Sequence, residues 1–420
     1  MRRCYLMKLG LAALALGSLP FAARAQAGKP VDPAESTVAG WDEFVDSLKS
    51  LPDRMLAKLP AGMQADPQVR QEVARLALES LATSTLEAIG GDGDNPVFLP
   101  SIGQVLNVGQ PNADTIYRSA RLTPGASYRM RGRPGTLNQA VIAQVVPGAG
   151  MRSHLHLKSL KKDRQGRFDV LLSAERPKGH TGDWWQLDPA AGRLMMRMVS
   201  ADWAGETSPT VAIERIDRPQ GRPRPSAADL EARLRGLPRQ VDVMALMFVD
   251  HVEKLRQEGY VNTLKVFDVQ FGALAGQFYY EGAYDLADDE ALIIESEVPA
   301  KCGYRSLILT NELFETTDWI NNHASLNGTQ AAPDPDGRLR IVVSAHDPGV
   351  ANWLDTSGHR RGVVQGRWTD CDSQPIPQVR KVKLAEVRGS MPADVATVTP
   401  EERQLILRER RRAYLERPQW

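Results

Sequence analysis

The chain is poor in cysteine, with three in 420 residues. Cys4 sits in the basic start, which leaves Cys302 and Cys371 for the body of the protein. No Cys-x-x-Cys occurs, and two cysteines so far apart make a poor metal signature. In an oxidising compartment an isolated pair favours a disulfide, with two separately buried thiols as the alternative. Aromatic residues make up only 6% of the chain. No apolar run reaches the roughly eighteen residues that a membrane-spanning helix needs. Charge of one sign is missing too: 52 basic residues stand against 51 acidic ones. That balance argues against a general binder of polyanions, so no nucleic-acid partner is expected. No Gly-x-Gly-x-x-Gly, Walker sequence or Gly-x-Ser-x-Gly elbow is present, so nucleotide cofactors and the serine-hydrolase elbow have no support. Neither a cofactor nor a metal is expected.

What is there begins at the N-terminus. Arg2-Arg3-Cys4-Tyr5-Leu6-Met7-Lys8 is basic, Leu9 to Phe21 is a short apolar run, and Ala23-Arg24-Ala25 and Ala25-Gln26-Ala27 are small-x-small sites. This pattern is an export signal over 1–27, which predicts a periplasmic or secreted protein. The paired arginines resemble a twin-arginine signal, with general secretion as the alternative. Cleavage removes four basic residues and no acidic one, so the formal charge of +1 becomes about −3.

Hydrophobic periodicity divides the remainder. Residues 28–96 read as helical. Trp41, Phe44, Val45 and Leu48 recur at spacings of three and four, and Pro52 is expected to stop that helix. A second helix spans about 67–90. Residues 97–218 carry short strands separated by Gly and Pro, without the long helices of a βαβ rhythm. The Pro-rich run from Arg218 to Pro225 precedes a helical insertion at 226–258, opened by Ser226 and Asp229 and expected to break at Pro238. Strands return over 260–398. Thr399-Pro400-Glu401-Glu402 then opens a C-terminal helix over 399–420, whose mixed charges suit a solvated or docked surface. The fold class expected is α+β: a mainly antiparallel β-sandwich protein with a helical N-terminal region and a helical insertion.

Three segments concentrate polar groups. In the turn Gly109 to Arg118, Asn112 and Asp114 can bond their own backbone; Asp114 is also a candidate catalytic carboxylate, with Tyr117 beside it. His154-x-His156 places two imidazoles on one strand face, a metal pair only if a third ligand joins them. The densest run is Ser344 to His359, which holds His346, Asp347, Asn352, Trp353, Asp355 and His359. An indole beside amide and carboxylate groups suits a sugar ring; the alternative is a self-bonded loop with Trp353 in a core. Arg367 and Trp368 follow on a strand and, being adjacent, face opposite sides.

The stretches Pro111 to Tyr117, Tyr304 to Asn327, and Asp347-Pro348-Gly349 through Asn352-Trp353-Leu354 to Arg367-Trp368 resemble the bacterial DUF1214 family, often joined to a DUF1254 domain. The resemblance implies a largely β-sandwich architecture with helical additions and supplies no reaction. The residues themselves suggest an exported enzyme using carboxylate acid–base chemistry on a carbohydrate-like substrate, in the manner of a glycoside hydrolase. The alternative is a non-catalytic periplasmic protein that binds a glycan or small ligand, or that belongs to the envelope. Candidate catalytic groups are Asp114, Glu281, Asp355 and His359, with Asp285, Asp347 and His346 behind them. Candidate substrate contacts are Asn112, Tyr117, Asp347, Asn352, Trp353, Arg367 and Trp368. The 344–368 region is expected to border the pocket, with Arg367 as its floor; failing that, Asp114 and the segment from Tyr279 to Asp285 come next.

Overall fold

The computed structural model describes residues 37–267 and 276–419. The export signal expected over 1–27 therefore lies outside the described residues. From Gly40 onward the chain clusters as one compact unit, and its architecture is α+β, with several mostly antiparallel sheets, N-terminal helices and a helical insertion.

Three helices come first: α1 (Trp41–Leu56), α2 (Ala61–Ala65) and α3 (Pro67–Gly90). Helix α3 starts at the expected position, with Pro67 at the first helical position and the Asp66 carboxylate accepting the Gln68 N–H at 2.8 Å, a cap that the sequence reading did not single out. Helix α1 does not stop at Pro52 but runs on to Leu56. Leu51 and Met55, on either side of that proline, are both buried in the helical core, and their packing outweighs the lost hydrogen bond.

The first β region contains β1 (Leu99–Pro100), β2 (Thr115–Arg121), β3 (Tyr128–Arg133), β4 (Gln139–Val146), β5 (Gly150–His156), β6 (Phe168–Ser173), β7 (Asp183–Gln186), β8 (Arg193–Val199) and β9 (Thr210–Arg215). They form a sheet of order β1-β2-β8-β4-β5 and a second of order β7-β6-β3-β9. Alternation along each strand sends one set of side chains inward. Ile116, Ile142, Leu194 and Met196 of the first sheet pack on Tyr128, Met130, Phe168 and Leu172 of the second, making one sandwich core.

The insertion follows as α4 (Ala227–Leu246) and α5 (His251–Gln257). Ser226 and Asp229 form the expected capping box. Helix α4 continues through Pro238 instead of breaking there, because Leu237, Val241 and Ala245 bury one face against α1 and α3.

The second β region contains β10 (Lys265–Phe267), β11 (Gln277–Asp285), β12 (Glu290–Ser296), β13 (Cys302–Leu309), β14 (Ser325–Asn327), β15 (Leu339–Ser344), β16 (Trp353–Asp355), β17 (Arg361–Cys371) and β18 (Gln378–Lys383). Their sheets have the orders β10-β11-β17-β13-β14 and β16-β15-β12-β18. Tyr280, Tyr284, Leu309, Val364 and Trp368 meet Leu292, Ile294, Ile341 and Val343 in the second sandwich core. Cys302 and Cys371 are directly opposite on β13 and β17 and are joined by a disulfide. Helix α6 (Pro400–Leu415) has the expected cap at Thr399 and docks firmly, with Arg403 and Arg410 buried along one side. Among the described residues no helix is long and apolar enough to cross a membrane.

Each sandwich has one further sheet face that its own core does not use. In the first sheet of the first region it carries Tyr117, Ser119, Gln139 and Arg197. In the first sheet of the second region it carries Tyr279, Glu281, Tyr304, Gln365, Arg367 and Thr369. These two polar faces approach one another: Asn138 Nδ2 donates to the Gly303 carbonyl at 3.0 Å and Gln139 Nε2 to Asp370 at 3.3 Å.

Candidate functional site

A cleft of about 250 Å³ opens where the two faces meet, lined by Asn138, Gln139, His156, Lys158, Gly303 and Asp370. Behind it the strand period places polar groups in rows. Tyr279 pairs with Arg367 and Glu281 with Gln365 across β11 and β17, so these four side chains share one face. The Arg367 guanidinium lies 5.3 Å from the Tyr279 ring centre, and Arg367 Nη2 donates to Gln365 Oε1 at 2.9 Å. From the other sandwich, Arg197 sits 5.9 Å from the Tyr117 ring centre. Burial pushes the Tyr279 phenol up, and the charges of Arg367 and Arg197 pull it part of the way back. Both cations therefore act on one phenol from opposite sheets.

Several polar atoms in this region are buried without a partner on the protein: His154 Nε2, Arg367 Nε and Thr369 Oγ1. A buried polar group left unsatisfied costs on the order of 1–3 kcal/mol, so three of them between two sheets mark a place where water or a polar ligand supplies the missing bonds. Burial also lowers the pKa of His154, and Arg197 and His156 push it further down. No third ligand joins His154 and His156 in a metal-binding group among the described residues.

Glu281 is fully buried, and His251 Nε2 lies 3.1 Å from both of its carboxylate oxygens. The imidazole is held among Phe248, Phe267 and Phe314, with centroid distances of 6.0, 5.5 and 4.4 Å. With the carboxylate as acceptor, Nε2 is the donor of that pair and Nδ1 is the ring's other nitrogen.

Asp114 occupies the far end of the same interface and is closed off. Its carboxylate accepts from Trp203 Nε1 at 2.7 Å, Tyr304 OH at 2.5 Å and Asn327 Nδ2 at 2.9 Å. Asn112 Nδ2 donates to the Tyr304 oxygen at 2.9 Å, and the Asn112 N–H to Tyr117 OH at 3.1 Å. Arg410 and Arg417 lie over the Trp203 ring at 4.5 and 5.8 Å, and Arg417 donates to the Asp114 carbonyl. This cluster ties together the first sandwich, the second sandwich and the C-terminal helix.

The 344–359 loop is not grouped around Arg367. Asp347 accepts from Arg403 Nε and from the Gly349 N–H, both at 2.8 Å. Asn352 Nδ2 donates to the Ala332 and Arg340 carbonyls. Trp353 is in a core with Val342, Val387 and Met391, its Nε1 donating to Ser344 Oγ, under the Arg403 guanidinium at 5.2 Å. Asp355 accepts the Ser357 N–H at 2.7 Å, and burial raises its pKa. Trp368 belongs to the second sandwich core, with Nε1 on the Pro375 carbonyl. The polar groups expected to face a cleft are largely satisfied by the scaffold. Arg367 faces the other side of its sheet, as the alternation between neighbouring residues requires.

His359 belongs to a third grouping, a buried acidic cluster. Its Nδ1 is 3.0 Å from Glu312 Oε2. Glu72 on α3 completes a set of three whose ligand atoms all lie within 4.8 Å of one another. Glu315, almost fully buried, accepts from Arg75 at 2.9 Å and Asn311 at 2.7 Å, and Glu79 lies beyond Arg75. Burial, and then the Glu315 charge, raise Glu79 to about 8. Burial works against ionisation of both His359 and Glu312, but their mutual contact wins, raising the imidazole and lowering the carboxyl.

Sequence reasoning did not single out His251, Arg197, Gln365, Glu72 or Glu312. Gln365-x-Arg367-x-Thr369 did carry a signal, a polar face on a strand whose other face is core. Glu72-x-x-Arg75-x-x-x-Glu79 carried another, a charged stripe on a helix.

No family model and no curated protein matches the chain. Among solved structures, an uncharacterized protein from Burkholderia cenocepacia is 30% identical with a TM-score of 0.76, and the match covers 82% of this chain and 97% of that one. A protein from Vibrio parahaemolyticus matches over 74% of this chain and 99% of its own at 12% identity, but with a TM-score of 0.42 it carries no argument.

Proposed function

The chain belongs to one family with the uncharacterized Burkholderia cenocepacia protein, and from the cleft between its sandwiches we propose that it is an exported enzyme acting by acid–base chemistry on a carbohydrate-like substrate. The observation that carries this reading is the set of buried, unpartnered polar atoms on the two facing sheets. A polyhydroxylated ring satisfies such groups, and the Tyr279 and Tyr117 rings offer it flat apolar surface. Arg367 favours a sugar that carries a carboxylate. His251, oriented by Glu281, is the proton acceptor.

The glycoside-hydrolase form needs two carboxylates roughly 5–10 Å apart. On that side of the second sandwich the carboxylates are Glu281, Asp285 and Asp370; Asp285 is four positions along β11 from Glu281, about 13 Å at the usual strand rise, and is paired with Arg256 and Arg361. Glu281 is opposite Gln365, five positions from Asp370, which at the usual strand rise is about 16 Å. Proton abstraction beside a sugar carboxylate, with arginine neutralising that group, is the chemistry these residues support better. The basic start, apolar run and small-x-small sites of residues 1–27 support export. The likeness to DUF1214 proteins, which rests on the sequence motifs alone, is part of the same proposal.

The test is a panel of acidic and neutral oligosaccharides incubated with the purified protein and followed for products and for binding. Acidic sugars should be turned over, Arg367→Gln should weaken their binding at least tenfold, and His251→Gln should retain binding but lose turnover. Binding without products supports the second reading, a non-catalytic glycan-binding protein. That reading is favoured by the enclosure of His251 among three phenylalanines. Absence of both binding and turnover across the panel refutes the carbohydrate assignment.

A further inference from the structure

The acidic cluster under α3 lies apart from the cleft residues and has a job of its own to explain. Four carboxylates, Glu72, Glu79, Glu312 and Glu315, gather with Arg75 and His359. The carboxylates outnumber the two cationic side chains among them. Buried carboxylates are ordinarily paired with cations or share protons.

The geometry answers which kind of cation fits. Glu72 comes from the buried side of α3, Glu312 from the loop after β13, and His359 from the turn before β17. Their ligand atoms lie within 4.8 Å of one another; bonds of about 2.0–2.2 Å reach at most about 4.4 Å across one ion, so the side chains draw in slightly around it. Glu72 is only 7% exposed. Its Oε1 is held by Gln68 at 3.0 Å, while Oε2 has no partner on the protein. Glu315 Oε1 is likewise buried and unpartnered. His359 Nδ1 and Glu312 Oε2, 3.0 Å apart, are at the spacing of two ligands on one ion, which would take the place of the proton they share. A set of carboxylates with one imidazole suits Zn²⁺ or Mn²⁺ better than Ca²⁺ or Mg²⁺, which prefer oxygen ligands throughout.

We propose that Glu72, Glu312 and His359 form a binding site for one divalent transition-metal ion, Zn²⁺ or Mn²⁺, with Glu79 and Glu315 as outer carboxylates. The ion pins α3 to the loops at one end of the second sandwich.

The test uses the full exported chain, stripped with chelator and titrated with Zn²⁺, Mn²⁺, Mg²⁺ and Ca²⁺. Calorimetry and thermal unfolding are the readouts, with elemental analysis of the loaded protein. One Zn²⁺ or Mn²⁺ should bind per chain and raise the melting temperature. Glu72→Gln keeps the shape of the side chain and removes one buried charge. It should weaken metal binding at least tenfold. His359→Gln should weaken binding similarly. Failure of both metals to bind the wild-type chain overturns the proposal, as does unchanged affinity in both variants or a preference for Ca²⁺ or Mg²⁺. A failed carbohydrate screen leaves these outcomes untouched, because the metal readouts need no substrate.

Discussion

Replacing Asp114 separates a scaffold role from a catalytic one. Three side-chain donors from three different segments converge on its carboxylate. Hydrogen bonds to a charged group are worth about 1.5–3 kcal/mol each, and members of one network do not add in full. Asp114→Ala strands the donors of Trp203, Tyr304 and Asn327 in a dry interface. It also removes a negative charge near Arg410 and Arg417, whose pKa values burial already lowers and Asp114 partly restores. We expect Asp114→Ala to cost about 4–5 kcal/mol. Asp114→Asn keeps an acceptor for Trp203 and Asn327 but sets an amide donor against Tyr304 OH, which already receives Asn112 Nδ2. Its cost should be about 1–3 kcal/mol, that of one mismatched buried bond. Urea unfolding followed by tryptophan fluorescence and by far-UV circular dichroism measures both, with Trp203 as a reporter inside the cluster. Loss of turnover in Asp114→Asn at unchanged stability would refute the scaffold argument, and so would a cost below about 1 kcal/mol for Asp114→Ala.

The remaining expectations follow from single contacts. The double change Cys302→Ser and Cys371→Ser opens a loop with a sequence separation of 69 and should cost about 4 kcal/mol on the chain-entropy account; non-reducing peptide mapping of the wild type should recover the linked pair, and two free thiols would contradict it. His323 is buried beside Arg410 and Arg403, with its Nδ1 on the Trp353 carbonyl, and its pKa is pushed down to about 3. Between about pH 6.5 and 3 the unfolded chain binds this proton and the native protein does not, so stability should fall as pH falls through that window, by up to about 1.4 kcal/mol per pH unit; His323→Gln should flatten that slope, and an unchanged slope would assign the acid sensitivity elsewhere. A Cβ on Gly366 would come within 2.1 Å of the Tyr280 ring, so Gly366→Ala should destabilise the second sandwich by about 1–3 kcal/mol or more, and a neutral result in urea unfolding would show that the ring moves aside freely.

The class of the fold was readable because it depends on local pattern. Strand-forming runs separated by Gly and Pro, without long helices between them, exclude a parallel βαβ sheet and leave antiparallel sandwiches. Caps at Ser226 and Thr399 mark helix starts by chemistry confined to a few neighbouring residues. Helix length was less legible: Pro52 and Pro238 are strong local stop signals, but the packing of Leu51, Met55, Leu237 and Val241 overrides them, and packing partners are remote in sequence.

Residue chemistry alone determined the basic start and apolar run, the sandwich class, the pairing of two scarce cysteines, and the opposed faces of Arg367 and Trp368. Each rests on composition or on a short period. The meeting of distant groups was decided only by the tertiary structure. Asp114, a plausible catalyst as a lone carboxylate in a turn, became the centre of a satisfied cluster once Trp203, Tyr304 and Asn327 were brought to it. The dense 344–359 loop turned inward, because Arg403 and the carbonyls of Ala332 and Arg340 supply its polar groups with partners. Glu281 met His251, and Glu72 met Glu312 and His359, across separations that no spacing rule spans. A side chain's charge and size are written in the sequence; whether it finds a partner, and so whether it is free to act, depends on which other segments fold against it.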